Sequence, residues 1–463
     1  MTDNPYDSVP YPTRPRNETH PDRLAAVGTL FGMRPAPVAA CRVLEIGCGD
    51  GGNVVPVAYG LPESQVTGVD LATDAIASAR RMAAELNLEN IRLVAGDLRD
   101  VGPEYGEFDY IIAHGVYSWV PADARDALLR ICAARLPAQG IAFISYNTYP
   151  GRHLRQMLRE MMRYHTRSTA DAARRMERAR SFLHTLAEGR LAPPAWRGLL
   201  EEETRLLLEK DAGSFWHDDL APVNDPVYFH EFTAHAAAHG LQYLGEADAH
   251  LMFDPRRAAG VEADDPIERE QELDFLRCRR FRQTLLCRSG IVLDRDPDSA
   301  RMSRFLFAAP ARRLAGGEIE GLNGIRIAPG HAELEGIVGA LGDSYPLPLP
   351  FDDLLPYASG PEALAEILFA LARSGFATFH IHDFPCEETV TARPRASALA
   401  RWQAARSSLV SSACHTPVEL EEADLRLLRL LDGSRDQEGL ACACGFDPRE
   451  ALTWFARMGL LEG

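Results

Sequence analysis

Residues 43–52 read Val-Leu-Glu-Ile-Gly-Cys-Gly-Asp-Gly-Gly, a short apolar run that passes straight into a glycine-rich turn. Few folds place these two features together. A buried parallel strand reads as a continuous apolar run, and glycine after it lets the backbone approach a ligand closely. The following segments repeat the pattern. Residues 65–69, 91–95, 109–113 and 140–146 are further strands, and apolar residues at helical spacing fill 75–86 (76, 79, 83, 86) and 122–136 (124, 128, 131, 136). Five strands alternating with helices predict an α/β, doubly wound, parallel Rossmann-like sheet.

The turn suits a nucleotide, and a dinucleotide site uses a similar glycine pattern to carry a pyrophosphate on a helix N-terminus. The acids argue otherwise. Glu45 stands two residues before the first glycine, where its carboxylate meets a cation rather than a phosphate. A ligand carrying an amino-acid ammonium and a sulfonium fits that charge. Asp70 ends the second strand, where a carboxylate holds ribose hydroxyls, as it does in NAD folds too. Gly96-Asp97 follows the third strand, where an acid accepts the exocyclic amine of adenine. Three acids at three successive strand ends predict a nucleoside cofactor site.

Composition excludes several classes. The 463 residues hold 66 acids and 49 bases, for a net charge of −17, which argues against coating nucleic acid or an anionic membrane. The bases comprise 48 arginines and a single lysine, Lys210, a skew that base composition of the genome explains. No apolar run approaches the roughly 18 residues of a membrane span. The polar, proline-rich N-terminus does not read as a signal peptide. The nine cysteines form no CxxC pair, so neither a zinc cage nor a disulfide framework is expected, and a reducing cytoplasm fits best.

The expected organisation is an N-terminal arm or lid (1–24), a catalytic domain (25–290) with a helical insert (151–224), a middle winged-helix-like domain (291–385), then a linker and C-terminal winged-helix-like domain (386–463). In the insert, residues 151–190 carry ten arginines against four acids, which suits a solvated helix face or a substrate-docking insert. A strand over 302–308, helices over 331–342, 351–358 and 361–374, and a strand over 376–382 are expected in the middle. Residues 384–416 read as linker, followed by helices over 418–432, 435–442 and 447–459. Residues 291–463 hold 25 acids against 16 bases, so these modules are expected to contact protein rather than DNA.

The pattern Glu45-x-Gly47-x-Gly49-x-Gly51, then Asp70, then Gly96-Asp97, resembles the class I S-adenosylmethionine (SAM)-dependent methyltransferases over residues 41–150, and by extension to 290. The resemblance implies SAM as cofactor, with these positions holding its methionine part, ribose and adenine. The implied cofactor contacts are Glu45, Gly47, Cys48, Gly49, Gly51, Asn53, Asp70, Leu71, Gly96, Asp97, Leu98 and His114. A narrower resemblance lies in Tyr11-Pro12, Thr19-His-Pro21, Gly51-Gly-Asn53, His114-Gly-Val-Tyr-Ser-Trp119, Ser145-Tyr-Asn-Thr-Tyr-Pro-Gly151 and Phe281-Arg-Gln-Thr-Leu-Leu286. These look like the bacterial methyltransferases with an attached regulatory region, among them the rickettsial-type protein lysine methyltransferases, which act on an outer-membrane protein. Nothing in this chain specifies that partner.

Methyl transfer from a sulfonium asks the protein mainly to position, desolvate and deprotonate the nucleophile. The loops after the fourth and fifth strands lie where ligands of such sheets bind. They offer His114, Tyr117 and Trp119, then Asn147 and Tyr149, as candidates around the methyl group. His114 is the expected group titrating near neutrality. The alternative is that His114 caps its strand and Trp119 packs on the next helix. Tyr6, Tyr11 and His20 are candidates for closing the site from above. His235 and His239 share a helix face, and His380 and His382 a strand face, but no third ligand is near in sequence and no metal is expected. Three functions follow: a methyltransferase acting on protein lysine, one acting on oxygen or nitrogen of a small molecule, glycan or peptide, or a SAM-binding regulator without turnover. The acceptor is accordingly a protein lysine or a biosynthetic intermediate.

Overall fold

A computed structural model describes residue 9, residue 11 and residues 13–189, 193–252, 265–386 and 389–462. Tyr6 and Pro12 lie outside the described residues.

Seven strands form the central sheet: β1 (Arg42–Ile46), β2 (Gln65–Asp70), β3 (Ile91–Ala95), β4 (Tyr110–Ala113), β5 (Ile141–Asn147), β6 (Leu241–Glu246) and β7 (Phe281–Arg288). Their order is β3-β2-β1-β4-β5-β7-β6. The first five run parallel, while β7 lies antiparallel between β5 and β6. The sheet is therefore mixed, a point the alternation of strands and helices does not reveal. β4 and β5 are buried along their whole length, as a strand covered on both faces must be. The chain reverses direction across the sheet between β1 and its neighbours β2 and β4, so a crevice opens at their carboxyl ends.

Before the sheet, the helix Pro21–Leu30 is entirely buried. Residues 21–24, expected in the arm, thus belong to the core: Pro21 supplies a preset first helical residue, and the Asp22 amide donates to His20 Nδ1. The insert forms three helices, Arg152–His165, Ala172–Glu188 and Pro194–Leu208, around a small core of its own that includes Leu158, Leu183, Leu207 and Phe215. Beneath β7, the buried Arg282 donates to Glu246 at 2.6 Å and to Asp274 at 2.8 Å, tying β6, β7 and the helix Pro266–Arg277 together. Such a network costs desolvation and holds only because both carboxylates are in place.

The later modules differ from expectation in detail. Residues 299–304 form a tight helical turn, and the strand is only Leu306–Ala308, flanked by Leu349–Pro350 and Thr378–His380. The apolar core of the catalytic domain continues through Phe307, Leu341, Leu368 and Phe376. The expected linker contains the helix Ala398–Ala404 and a hairpin, Leu409–Ser411 with Pro417–Glu419. Pro417 and Val418 pair in that hairpin, so the next helix begins at Glu422 rather than 418. Alanine, serine and cysteine fill the segment, and without apolar alternation its pairing leaves little periodic signal. Among the described residues, no helix is long and apolar enough to cross a membrane.

Candidate active site

The crevice is a cavity of about 810 Å³ with two chemically different halves. One half is built from the ends of β1, β2 and β3. Gly47 and Gly49 adopt positive φ (78° and 54°), which side-chain-bearing residues rarely do. A Cβ on Gly47 would stand 2.6 Å from Val116, so the turn packs as tightly as glycine allows. The Asp70 carboxylate accepts from the amides of Gly49 and Ala72, both at 2.8 Å, and so pins the glycine turn to the end of β2.

Glu45 is buried on this wall, and its two carboxylate oxygens accept from the Asn53 amide at 3.1 Å. Burial pushes its carboxyl up to about 8. A buried acid whose bonded partner is a neutral amide suits a ligand that brings positive charge. Asn53 is held in turn: its Oδ1 accepts from the Arg16 amide at 2.9 Å and from His415 Nε2 at 2.8 Å. His415, at positive φ in the C-terminal hairpin, thus braces the glycine-turn side of the cavity from over 360 residues away.

Gly96 and Asp97 line the same half. Asp97 caps the following turn and receives Arg99 at 2.5 Å, which holds its carboxyl below the usual range. Cys48, Leu71, Leu98 and His114 also face the cavity. Gly51 does not. Its positive φ brings the turn against Ala79 and Met82 of the helix Thr73–Glu85, so it serves packing rather than the cavity wall.

The other half joins segments distant in sequence. His114, Trp119 and Asn147 border the cavity as expected. Tyr117 and Tyr149 do not border it. Tyr117 turns away to bond His235 Nδ1 at 2.9 Å and to meet Phe232 edge-on, and Tyr149 stacks on His153 at 4.0 Å. Their apolar rings are drawn to neighbouring helices, a pull that loop position in the sequence does not show. His114 is half-buried beside Phe143 and Phe281, with Ser145 Oγ 3.3 Å from Nδ1. Burial, with Arg16 and Arg14 nearby, lowers its pKa to about 3, so it is neutral throughout the physiological range and does not titrate near neutrality. Asn147 donates to Asn224 at 2.8 Å. The buried Trp119 indole N–H has no hydrogen-bond partner among the described residues.

The arm closes this half through Tyr11, Thr13, Arg14 and Arg16, with the Gly52 amide donating to Thr13 Oγ1 at 2.7 Å. The insert adds Arg152, Lys210, His217 and Asp218, and β7 adds Phe281 and Gln283. Of these, the sequence pointed to Tyr11 alone as a candidate for closing the site. His20 sits apart from the cavity, 5.1 Å from the His415 ring. Away from the cavity, Asp126 joins His235 and His239, their ligand atoms within 4.8 Å of one another, so folding supplies the third group that spacing lacked. His380 is taken up by Asp22, at 2.7 Å.

Comparison with known proteins agrees with this geometry. Residues 43–140 match a methyltransferase domain, residues 211–288 a predicted methyltransferase regulatory domain, and residues 392–443 the PKMT C-terminal winged helix domain. The structure of PKMT2 from Rickettsia typhi in complex with AdoHcy superimposes with a TM-score of 0.86 and 25% identity, over 98% of this chain and 100% of that one. The protein RP028 of Rickettsia prowazekii is 36% identical over 230 residues, 91% of its length and 49% of this chain.

The chain is a SAM-dependent methyltransferase of the family that includes RP028.

The protein RP789 of the same organism is 36% identical over 308 residues, 65% of this methyltransferase, which spans little more than half (56%) of that relative's length. The cofactor of this methyltransferase is SAM, and the buried Glu45 together with the glycine cradle fits its cationic methionine end.

Proposed function

We propose that this SAM-dependent methyltransferase modifies the amine of a protein lysine. In this reading Glu45, Gly47 and Gly49 hold the methionine part of the cofactor, Asp70 the ribose, and Gly96 with Asp97 the adenine. SAM supplies an electrophilic sulfonium methyl. The protein's work is to bring an amine to it, strip its proton and exclude water.

The observation that carries the reading is the chemistry of the second half. Asp218 lines the cavity and already holds an ammonium group there, that of Lys210, at 2.8 Å. Aromatic rings of Tyr11, Phe281 and Trp119 border the same space, and such rings attract a cation by their faces. A lysine enters as ammonium, with an ordinary pKa near 10.4, and must lose a proton before it attacks. Burial raises the Asp218 carboxyl above its usual range, which makes it a better proton acceptor, whereas His114 at about 3 is a poor one. The match to PKMT2 over nearly the whole chain supports a protein acceptor.

Incubation with labelled SAM and lysine-rich protein mixtures tests the proposal. Label on protein lysines is expected. Label confined to small molecules would reject it in favour of a metabolite methyltransferase.

A further inference from the structure

Lys210 is the single lysine of the chain, beside 48 arginines. It follows the insert helix Pro194–Leu208 and lines the cavity together with the cofactor-side residues. Its main chain is fixed, since the carbonyl accepts from Arg180 at 2.7 Å. Its Nζ reaches Asp218 at 2.8 Å and the buried Asp219 at 2.7 Å. The one side-chain amine of the protein therefore occupies the acidic corner that the acceptor half offers to an ammonium. A purely structural clip would need only positive charge, which a guanidinium supplies with more donors.

We infer that Lys210 is itself a methyl acceptor, modified within its own active site. The inference rests on the lysine reading above. In the reaction, the Lys210 ammonium passes a proton to the Asp218 carboxylate. Nζ then attacks the sulfonium methyl carbon: the C–N bond forms, the C–S bond breaks, and its electron pair stays on sulfur as the thioether of S-adenosylhomocysteine. The proton on Asp218 leaves to water through the open cavity. The amine must leave its ion pairs with the two carboxylates before it attacks, so the modification is slow compared with transfer to a free acceptor.

The test uses the full-length protein. After incubation with SAM, peptide mass spectrometry should find methyl additions on Lys210, at a rate independent of protein concentration. Lys210→Arg keeps the charge and should melt near the parent temperature while acquiring no methyl group, and Asp218→Asn should slow the modification several-fold. A readout without turnover uses an amine-reactive acyl ester, for which Lys210 is the only side-chain target. S-adenosylhomocysteine should shield Lys210 from acylation several-fold. Acylation unchanged by S-adenosylhomocysteine, a rate that rises with protein concentration, or an unmodified Lys210 beside methylated external lysines would each overturn the inference, the last leaving the lysine reading intact. If S-adenosylhomocysteine binds but no lysine of any protein is methylated, the lysine reading fails and this inference with it.

Discussion

The two halves of the cavity are built by opposite rules. The proposed cofactor half comes from three strand ends within about fifty residues, Glu45 to Asp97, and its parts meet because adjacent parallel strands align their ends. The acceptor half collects Tyr11, His114, Asn147, Lys210, Asp218 and Phe281, which meet only after the arm, the insert and an antiparallel strand have folded onto the sheet. A site for an invariant ligand can be written locally, whereas a site for a variable one is left to parts that can be exchanged without disturbing the sheet.

The sharpest break between the halves should come from Asp70→Ala. It removes a carboxylate that fixes the Gly49 and Ala72 amides and, in the proposed site, the ribose. Calorimetry should show SAM binding weakened by about 100-fold or more, given the worth of charge-assisted hydrogen bonds. Phe281→Ala on the opposite wall should lower turnover and leave SAM affinity within about threefold. Equal loss of affinity in both variants would erase the distinction.

Glu45→Gln should come next, with affinity falling about tenfold. Because the Glu45 carboxyl titrates at about 8 in the folded protein, a cationic ligand must expel its proton at lower pH. SAM binding should therefore tighten as pH rises from 6 to 8, with proton release seen as a buffer-dependent heat, and the variant should lose this dependence. The sign for stability is opposite. An acid whose folded pKa is raised from 4.5 to about 8 favours the folded state below 4.5 and loses that advantage as pH rises through 8. Melting of Glu45→Gln compared with the parent should show the variant gaining stability across that window, by at most a few kcal/mol.

His415→Ala sharpens the comparison differently, by cutting the tie between the C-terminal module and the cofactor half. The buried Asn53 oxygen keeps the Arg16 amide as a donor, so loss of the His415 hydrogen bond should cost about 1 kcal/mol in melting experiments and weaken SAM several-fold. Loss of stability with unchanged affinity would show that the brace does not reach Glu45. The smallest effect is expected from His114→Asn. Since His114 stays neutral down to about 3, the pH–rate profile between 5 and 8 should keep its shape, and a lost inflection there would restore it as the base.

Legibility in the sequence follows the same division. That the glycine turn, Glu45, Asp70 and Asp97 share one wall was readable because backbone conformation and strand-end charge are local properties. Gly51 shows the limit: it satisfies the motif, yet its work is packing against Ala79. Tyr117 and Tyr149 fail for a related reason. Their loops were correctly located, but the direction of a ring is settled by the neighbours Phe232 and His153, which lie in other segments. Lys210 was singled out by count alone, and its place in the cavity depends on how the insert docks. The hairpin around His415 carried little periodic signal.

The amino-acid sequence by itself determined a doubly wound sheet, a cofactor with a cationic methionine end and a ribose, and an acidic C-terminal third, because each rests on short-range pattern or on composition. Only the tertiary structure decided that β7 runs antiparallel, that His114 is a neutral group, that Lys210 and Asp218 of the insert reach the cavity, and that His415 braces Asn53. Those features depend on burial and on contacts between distant segments, and both arise only when the chain has packed.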